Sequence, residues 1–126
     1  MYSVLLVDDD LQLLKLIRDV FEIEGWTVTP CDCSESAKRA INNGSYDCCI
    51  VDLNLPDGDG NRLIERLHTD LNIPIIAISG LDHSLDLAAT SQIGADYHLT
   101  KPFEPDELVI ECSRLIEKHS KQAAIN

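Results

Sequence analysis

Five polar residues in this chain sit at the ends of four short apolar runs. Asp8 and Asp9 come after Val4-Leu5-Leu6-Val7, and Asp52 after Cys48-Cys49-Ile50-Val51. Ser79 comes after Pro74-Ile75-Ile76-Ala77-Ile78, and Lys101 after Tyr97-His98-Leu99-Thr100. If the four runs are parallel strands of one sheet, these ends meet at one edge. Three carboxylates and one ammonium would then leave a net of two negative charges. Two like charges about 5 Å apart repel by roughly 3 kcal/mol at an effective dielectric near 20. Such a cluster needs a counter-ion or a raised pKa. A hard divalent cation bound by carboxylate oxygen, backbone carbonyl and water meets that need, and magnesium suits few carboxylates beside a phosphoryl group. Asp52 is then placed to attack phosphorus and form an aspartyl-phosphate. Lys101 would bind one phosphoryl oxygen and Ser79 would donate a hydrogen bond to another, since phosphoryl transfer asks mainly for positioning and charge neutralisation. Asp8 alone would read as a loop acid and Lys101 alone as a solvated lysine; the combination carries the chemistry. Asp10 reads as the cap or first-turn acid of the next helix.

The elements that must position these residues alternate along the chain. Strands are expected over 3–7, 26–31, 46–51, 73–78 and 96–100. Between them, residues 11–24 place Leu13, Leu14, Ile17, Val20 and Phe21 at helical spacing, with Gly25 as a left-handed stop. Ser34 is the expected N-cap of a helix over 35–43, closed by Gly44. Pro56-Asp57-Gly58-Asp59-Gly60 is a turn cluster ahead of a helix with Leu63, Ile64 and Leu67 on one face. A weaker helix is expected over 85–93, stopped by Gly94. Pro105 opens a last helix whose inner face is Leu108, Val109, Cys112, Leu115 and Ile116. Five strands interleaved with five helices give an α/β fold, a doubly wound five-stranded parallel sheet covered on both faces. Ligands of such sheets sit outside the C-terminal strand edge, where the five polar residues lie.

With 126 residues, the chain fits one domain able to bury roughly two-thirds of its unfolded surface. Residues 1–120 are read as that domain and 121–126 as a tail or the start of a linker, because the apolar face of the last helix ends by Ile116. A net charge of −12 argues against direct binding of nucleic acid or anionic membrane. The five cysteines, Cys31, Cys33, Cys48, Cys49 and Cys112, are odd in number and lack a C-x-x-C, so they read as buried thiols in a reducing compartment. The longest apolar run near the N-terminus, Val4 to Val7, is too short for a secretory signal or a membrane span. A cytoplasmic location is expected.

The ordered set V-D-D at Val7-Asp8-Asp9, D-L-N-L-P-D-G-D-G at 52–60, I-S-G at Ile78-Ser79-Gly80 and K-P-F at Lys101-Pro102-Phe103 resembles the receiver domains of two-component response regulators. The resemblance runs from Val4 to about Glu117. It implies the flavodoxin-like receiver fold with strand order 2-1-3-4-5 and Asp52 as phosphoacceptor. It further implies magnesium, or manganese in its place, on Asp9, Asp52 and the backbone carbonyl of Asn54, with Asp8 acting largely through water. Ser79 and Lys101 become the phosphate-sensing pair, and Lys101-Pro102 a cis peptide. A sensor histidine kinase or a histidine phosphotransfer domain would supply the phosphoryl group. The output surface, helix 4, strand 5 and helix 5 at roughly 82–118, would act on an output domain or downstream protein. The chain would be a switch that catalyses only its own phosphorylation and dephosphorylation.

Several departures from the family's usual residues matter. His98 stands where an aromatic switch residue is commoner, and Tyr97 should face the other side of the sheet. Ser79 keeps the hydroxyl of the commoner threonine, and Gly80 replaces a small alanine. Asn54 and Leu81 would flank the water that attacks the acyl phosphate; Leu81 cannot orient it, so slow self-dephosphorylation is expected. A phosphorylation-dependent homodimer is implied by some relatives, but Glu111 lies where their arginine would be. Other readings fit less well. An EF-hand fails in both registers, from Asp52 and from Asp57, so Asp57 and Asp59 read as turn and helix-cap acids. His68, His83, His98 and His119 show no metal-ligand spacing. A haloacid-dehalogenase-type phosphatase would want D-x-D-x-T/V on strand 1, where Asp8-Asp9-Asp10-Leu11-Gln12 ends in glutamine. A degenerate docking module would not keep the full polar set.

Overall fold

A computed structural model describes residues 1–80 and 92–125 of the chain. In chain order its elements are β1 (Ser3–Val7), α1 (Leu11–Ile23), β2 (Thr27–Cys31), α2 (Ser34–Asn43), β3 (Cys48–Asp52), β4 (Asn54–Leu55), β5 (Gly58–Asp59), α3 (Gly60–Asp70), β6 (Ile75–Ser79), β7 (Tyr97–Thr100) and α4 (Pro105–Ile125). Five strands form one parallel sheet in the order β2-β1-β3-β6-β7, which is 2-1-3-4-5 when only that sheet's strands are counted. β4 and β5 make a two-residue antiparallel ribbon around Pro56-Asp57, inside the expected turn cluster. The helix expected over 85–93 falls mostly on residues outside the described ones, so four of the five expected helices appear among the described residues.

Two apolar layers follow from strand alternation. On one face Val4, Leu6, Cys48, Ile50, Ile76 and Ile78 meet Leu14, Ile17 and Phe21 of α1 and Leu108, Cys112, Leu115 and Ile116 of α4. On the other, Leu5, Val7, Cys49, Val51, Ile75 and Ala77 meet Ala37 and Ile41 of α2 and Leu63, Ile64 and Leu67 of α3. β3 and β6 are buried at every position because helices cover both faces, which explains their unbroken apolar runs. Each fully buried Leu, Ile or Phe contributes roughly 1.5–3 kcal/mol of transfer free energy. Leu13, Val20 and Val109 flank these layers only half-buried.

Local chemistry sets the helix ends. Asp10 caps α1, its Oδ1 accepting from Gln12 N at 3.1 Å and Leu13 N at 3.2 Å. Gly25, at φ +87°, ends the helix in the left-handed conformation expected of it. At α2 the expectation is corrected. Cys33, not Ser34, is the N-cap, with its Sγ accepting from Ser36 N at 3.5 Å. The N–H groups of Ser34 and Glu35 are taken by the Asp57 carboxylate at 2.8 and 3.1 Å, which fixes the first turn one residue early. Cys33 is accordingly half-buried, whereas the other four free cysteines are buried as expected.

β2 is an edge of the sheet. Thr27 N and Cys31 O bond inward to β1, so by alternation Val28 and Pro30 turn their backbone groups outward. Among the described residues no helix is long and apolar enough to cross a membrane.

Candidate functional site

Because β1, β3, β6 and β7 run parallel, their C-terminal residues share one edge. Asp8 N donates to Cys31 O at 3.0 Å, extending the β1 ladder by one residue and drawing Asp8 fully out of solvent. Its Oδ1 accepts from Asp10 N at 2.9 Å. Oδ2 lies 3.0 Å from Lys101 Nζ, an ion pair whose angles do not make a hydrogen bond, so this buried oxygen keeps lone pairs free for a cation. Asp52 closes β3 and is 2% exposed; Oδ1 accepts from Asn54 N at 2.9 Å and Oδ2 accepts from Lys101 Nζ at 3.3 Å. Asp9 stands exposed at the rim. Asp8, Asp9 and Asp52 each bring one carboxylate oxygen within 4.8 Å of the others, an all-oxygen donor set suited to a hard divalent cation.

Lys101 is aimed by its backbone as well as its charge. Its N–H donates to Ser79 O at 2.8 Å, and the Lys101-Pro102 peptide is cis. Ser79 is buried, and its Oγ sits 3.1 Å from His98 Nε2. Register places Ala77 beside His98 and Ser79 beside Thr100, so Ser79 and His98 share one sheet face. Tyr97 points to the other face, where the Arg114 guanidinium lies 5.8 Å from its ring centroid. Asn54 is exposed on β4 directly after the Asp52 turn. Leu81 lies outside the described residues.

Two residues that support this edge were less legible. A Cβ on Gly60 would fall 2.5 Å from Leu53 Cα and 2.7 Å from Asp52 O, so only glycine lets α3 start against the Asp52 backbone. Asp57, read from sequence as a turn or cap acid, caps α2 rather than the helix that follows it, and so pins the β4–β5 ribbon to α2. Those two backbone N–H bonds hold its carboxyl below the usual carboxylate range.

The electrostatics reflect crowding. Burial, reinforced by the neighbouring Asp52 charge and opposed by Asp10 N–H and Lys101, pushes the Asp8 carboxyl up to about 6. Burial alone would lower Lys101, but the Asp8 and Asp52 carboxylates outweigh it and raise it. Burial lowers His98, which favours the neutral imidazole. For Asp8 the folded state binds its proton more tightly than the unfolded chain, so its stabilising contribution is full below pH 4 and is lost as pH rises through about 6. The metal-free protein should therefore carry a penalty of about 3 kcal/mol from this group at pH 7. Urea unfolding with and without magnesium is the check: the ion should raise the midpoint more at pH 7 than at pH 5, and Asp8→Asn should flatten the difference.

Comparison with known proteins shows the family and the fold. The family described as "Response regulator receiver domain" matches residues 4–113. The chain is 32% identical over 123 residues to the transcriptional regulatory protein CssR of Bacillus subtilis strain 168, covering 97% of this chain and 54% of that protein. It is 30% identical over 115 residues to the aerobic respiration control protein ArcA of Escherichia coli K12, covering 91% of this chain and 48% of that protein. The chain thus spans about half the length of these curated relatives. Among solved structures, the Francisella response regulator 1452 receiver domain superposes with a TM-score of 0.85 at 33% identity, covering 94% of this chain and 98% of that one. A CheY-like receiver domain protein from Methanospirillum hungatei JF-1 gives a TM-score of 0.90 at 24% identity over 97% and 98% of the two chains, which speaks for the fold.

Proposed function

The chain belongs to the response regulator receiver family, and from that membership we propose that Asp52 accepts a phosphoryl group from a phosphohistidine on a sensor kinase or phosphotransfer domain. The observation that carries this reading is the convergence of Asp8, Asp9, Asp52 and Lys101 at one sheet edge. Asp9, Asp52 and the Asn54 carbonyl would hold magnesium (manganese could replace it), with Asp8 acting through water. A cation held there would supply charge neutralisation for phosphoryl transfer. The remaining work falls to the chain. Asn54 N–H and Lys101 Nζ orient the Asp52 carboxylate, whose oxygen forms the new O–P bond as the P–N bond to the donor imidazole breaks. Lys101 then pairs with one phosphoryl oxygen. Ser79 turns its single hydroxyl proton to another, while its own oxygen can still accept from His98 Nε2–H.

That rearrangement at Ser79 and His98 is the proposed switch. It would bias the output surface assigned to residues 82–118, of which β7 and α4 up to Lys118 fall among the described residues. On that surface Ile110 is exposed and Glu111 pairs with Arg114, an arrangement that leaves a phosphorylation-dependent homodimer without the family's usual arginine at position 111. A downstream protein or output domain is the intended reader. The domain is assigned to 1–120 with 121–126 as tail or linker, in a cytoplasmic protein that modifies only itself.

Labelling with a small phosphodonor such as acetyl phosphate tests the assignment. One acid-stable, base-labile acyl phosphate should form per chain, and chelation of magnesium should abolish it. Absence of the acyl phosphate from magnesium-loaded, folded protein overturns the reading, and repeated turnover of a phosphoester would point to a phosphatase instead. Its lifetime is also predicted. The family resemblance assigns positions 54 and 81 to the hydrolytic water, which a leucine cannot orient, so decay should be slow, and Leu81→Glu should speed it several-fold, by about 1 kcal/mol in the barrier. An unchanged decay rate would remove position 81 from the account.

A further inference from the structure

We propose that Cys48 and Cys112 form an oxidisable dithiol, a modification site at which a peroxide ties α4 to β3 through a disulfide. Their Sγ atoms stand 3.4 Å apart, although 64 positions separate the residues in sequence. Both are fully buried in the layer between the sheet and α4. Cys48 opens the strand that ends in Asp52, and Cys112 lies on the inner face of α4 between Leu108 and Leu115. The remaining thiols are placed differently. Cys33 is engaged at the α2 cap with Ser36, while Cys31 and Cys49 belong to the layer on the opposite face of the sheet.

A disulfide holds its sulfurs at about 2.05 Å, so closure asks for a further approach of about 1.4 Å. Both side chains are sealed from solvent, and burial pushes the Cys112 thiol well above its ordinary range, so the closed fold shields the pair. Oxidation proceeds when α4 lifts transiently and one sulfur ionises. That thiolate attacks a peroxide oxygen, the O–O bond breaks, and a sulfenic acid and water form. The second thiol then attacks the sulfenic sulfur, the S–S bond forms and a second water leaves. Two thiols and one hydrogen peroxide become one disulfide and two waters, with two electrons passing from sulfur to oxygen. In a reducing compartment such a bridge would be transient and sensing rather than structural. Its consequence for signalling rests on the receiver reading: a tethered α4 could not reposition the output face.

The test exposes the full chain to hydrogen peroxide, alkylates it under denaturing conditions and maps peptides without reduction. The expected product is lighter by two hydrogens, joins the Cys48 and Cys112 peptides, leaves the other three cysteines alkylated, and reverts with dithiothreitol. Its urea midpoint should be higher than that of the reduced chain, and Cys112→Ala should lose the cross-link. Full alkylation of Cys48 and Cys112 after the peroxide treatment overturns the proposal, as does a bridge from either one to a different cysteine. Phosphoryl labelling of the oxidised chain is read separately, because the bridge should form whether or not Asp52 accepts a phosphoryl group.

Discussion

Asp52→Asn is expected to reduce acyl phosphate formation to background, a loss of more than about a thousand-fold, because an amide oxygen is too weak a nucleophile toward phosphorus. The same substitution should make the metal-free protein more stable at neutral pH. Asp52 is buried beside Asp8, and its charge helps to hold the Asp8 carboxyl near 6. Removing that like charge lets Asp8 ionise more easily and leaves Lys101 its 3.0 Å partner. The gain should be on the order of 1 kcal/mol at pH 7 and shrink as pH falls below about 6, where the wild-type Asp8 carboxyl takes up its proton. Labelling with acetyl phosphate and urea unfolding at pH 7 and pH 5 read both effects. Wild-type labelling of the asparagine variant would place the acceptor elsewhere. Lost labelling together with lost stability would make Asp52 a packing residue rather than an acceptor.

Lys101→Ala should act in the opposite sense on stability. Asp8 is fully buried and Asp52 nearly so, and Lys101 Nζ is placed 3.0 and 3.3 Å from their oxygens. Truncating one partner of a buried ion pair leaves an uncompensated charge and typically costs 3–5 kcal/mol, so a destabilisation of about 3 kcal/mol is expected at pH 7. The Asp8 carboxyl, already at about 6, should rise further. A raised folded-state pKa means that stability is lost as pH increases, so the variant should recover as pH falls toward 5, and magnesium should restore part of the loss at pH 7. Phosphoryl labelling should fall by about a hundred-fold even when the ion holds the fold together, because the phosphoryl oxygen loses its fixed cation. Thermal melts across pH, with and without magnesium, settle the first effect; labelling at saturating magnesium settles the second. Unchanged stability at pH 7 would show that the carboxylates are neutralised by something other than Lys101.

The strands and their polar ends were legible because burial on both sheet faces leaves a nearly unbroken apolar signature, as at Cys48–Asp52 and Ile75–Ser79. The next residue after such a run has to emerge at the sheet edge, so the sequence itself groups Asp8, Asp52, Ser79 and Lys101. Lateral order was not readable from periodicity, which says which residues face inward but not which strand lies beside which. It came from the family resemblance. Which helix Asp57 caps is hidden in the sequence for a related reason. Its partners are backbone N–H groups of Ser34 and Glu35, and backbone donors leave no trace in residue types. Cys33 is the harder cap to read from sequence, because serine is the stronger capping residue and stands next to it. The β4–β5 ribbon, two residues per strand, is too short to show any alternation. In sequence Gly60 is one more turn glycine; in the fold the Asp52 and Leu53 backbone leaves no room there for a methyl group.

Pro30 has a consequence for how copies of this protein behave in a crowded solution. At the outward-facing position of the β2 margin, a pyrrolidine ring replaces the N–H that an incoming extended segment would need to dock. Val28 is left as a lone outward donor on that margin, too few contacts for strand addition to take hold. The sheet is thereby guarded against lateral fibril growth at one flank by a single imino acid.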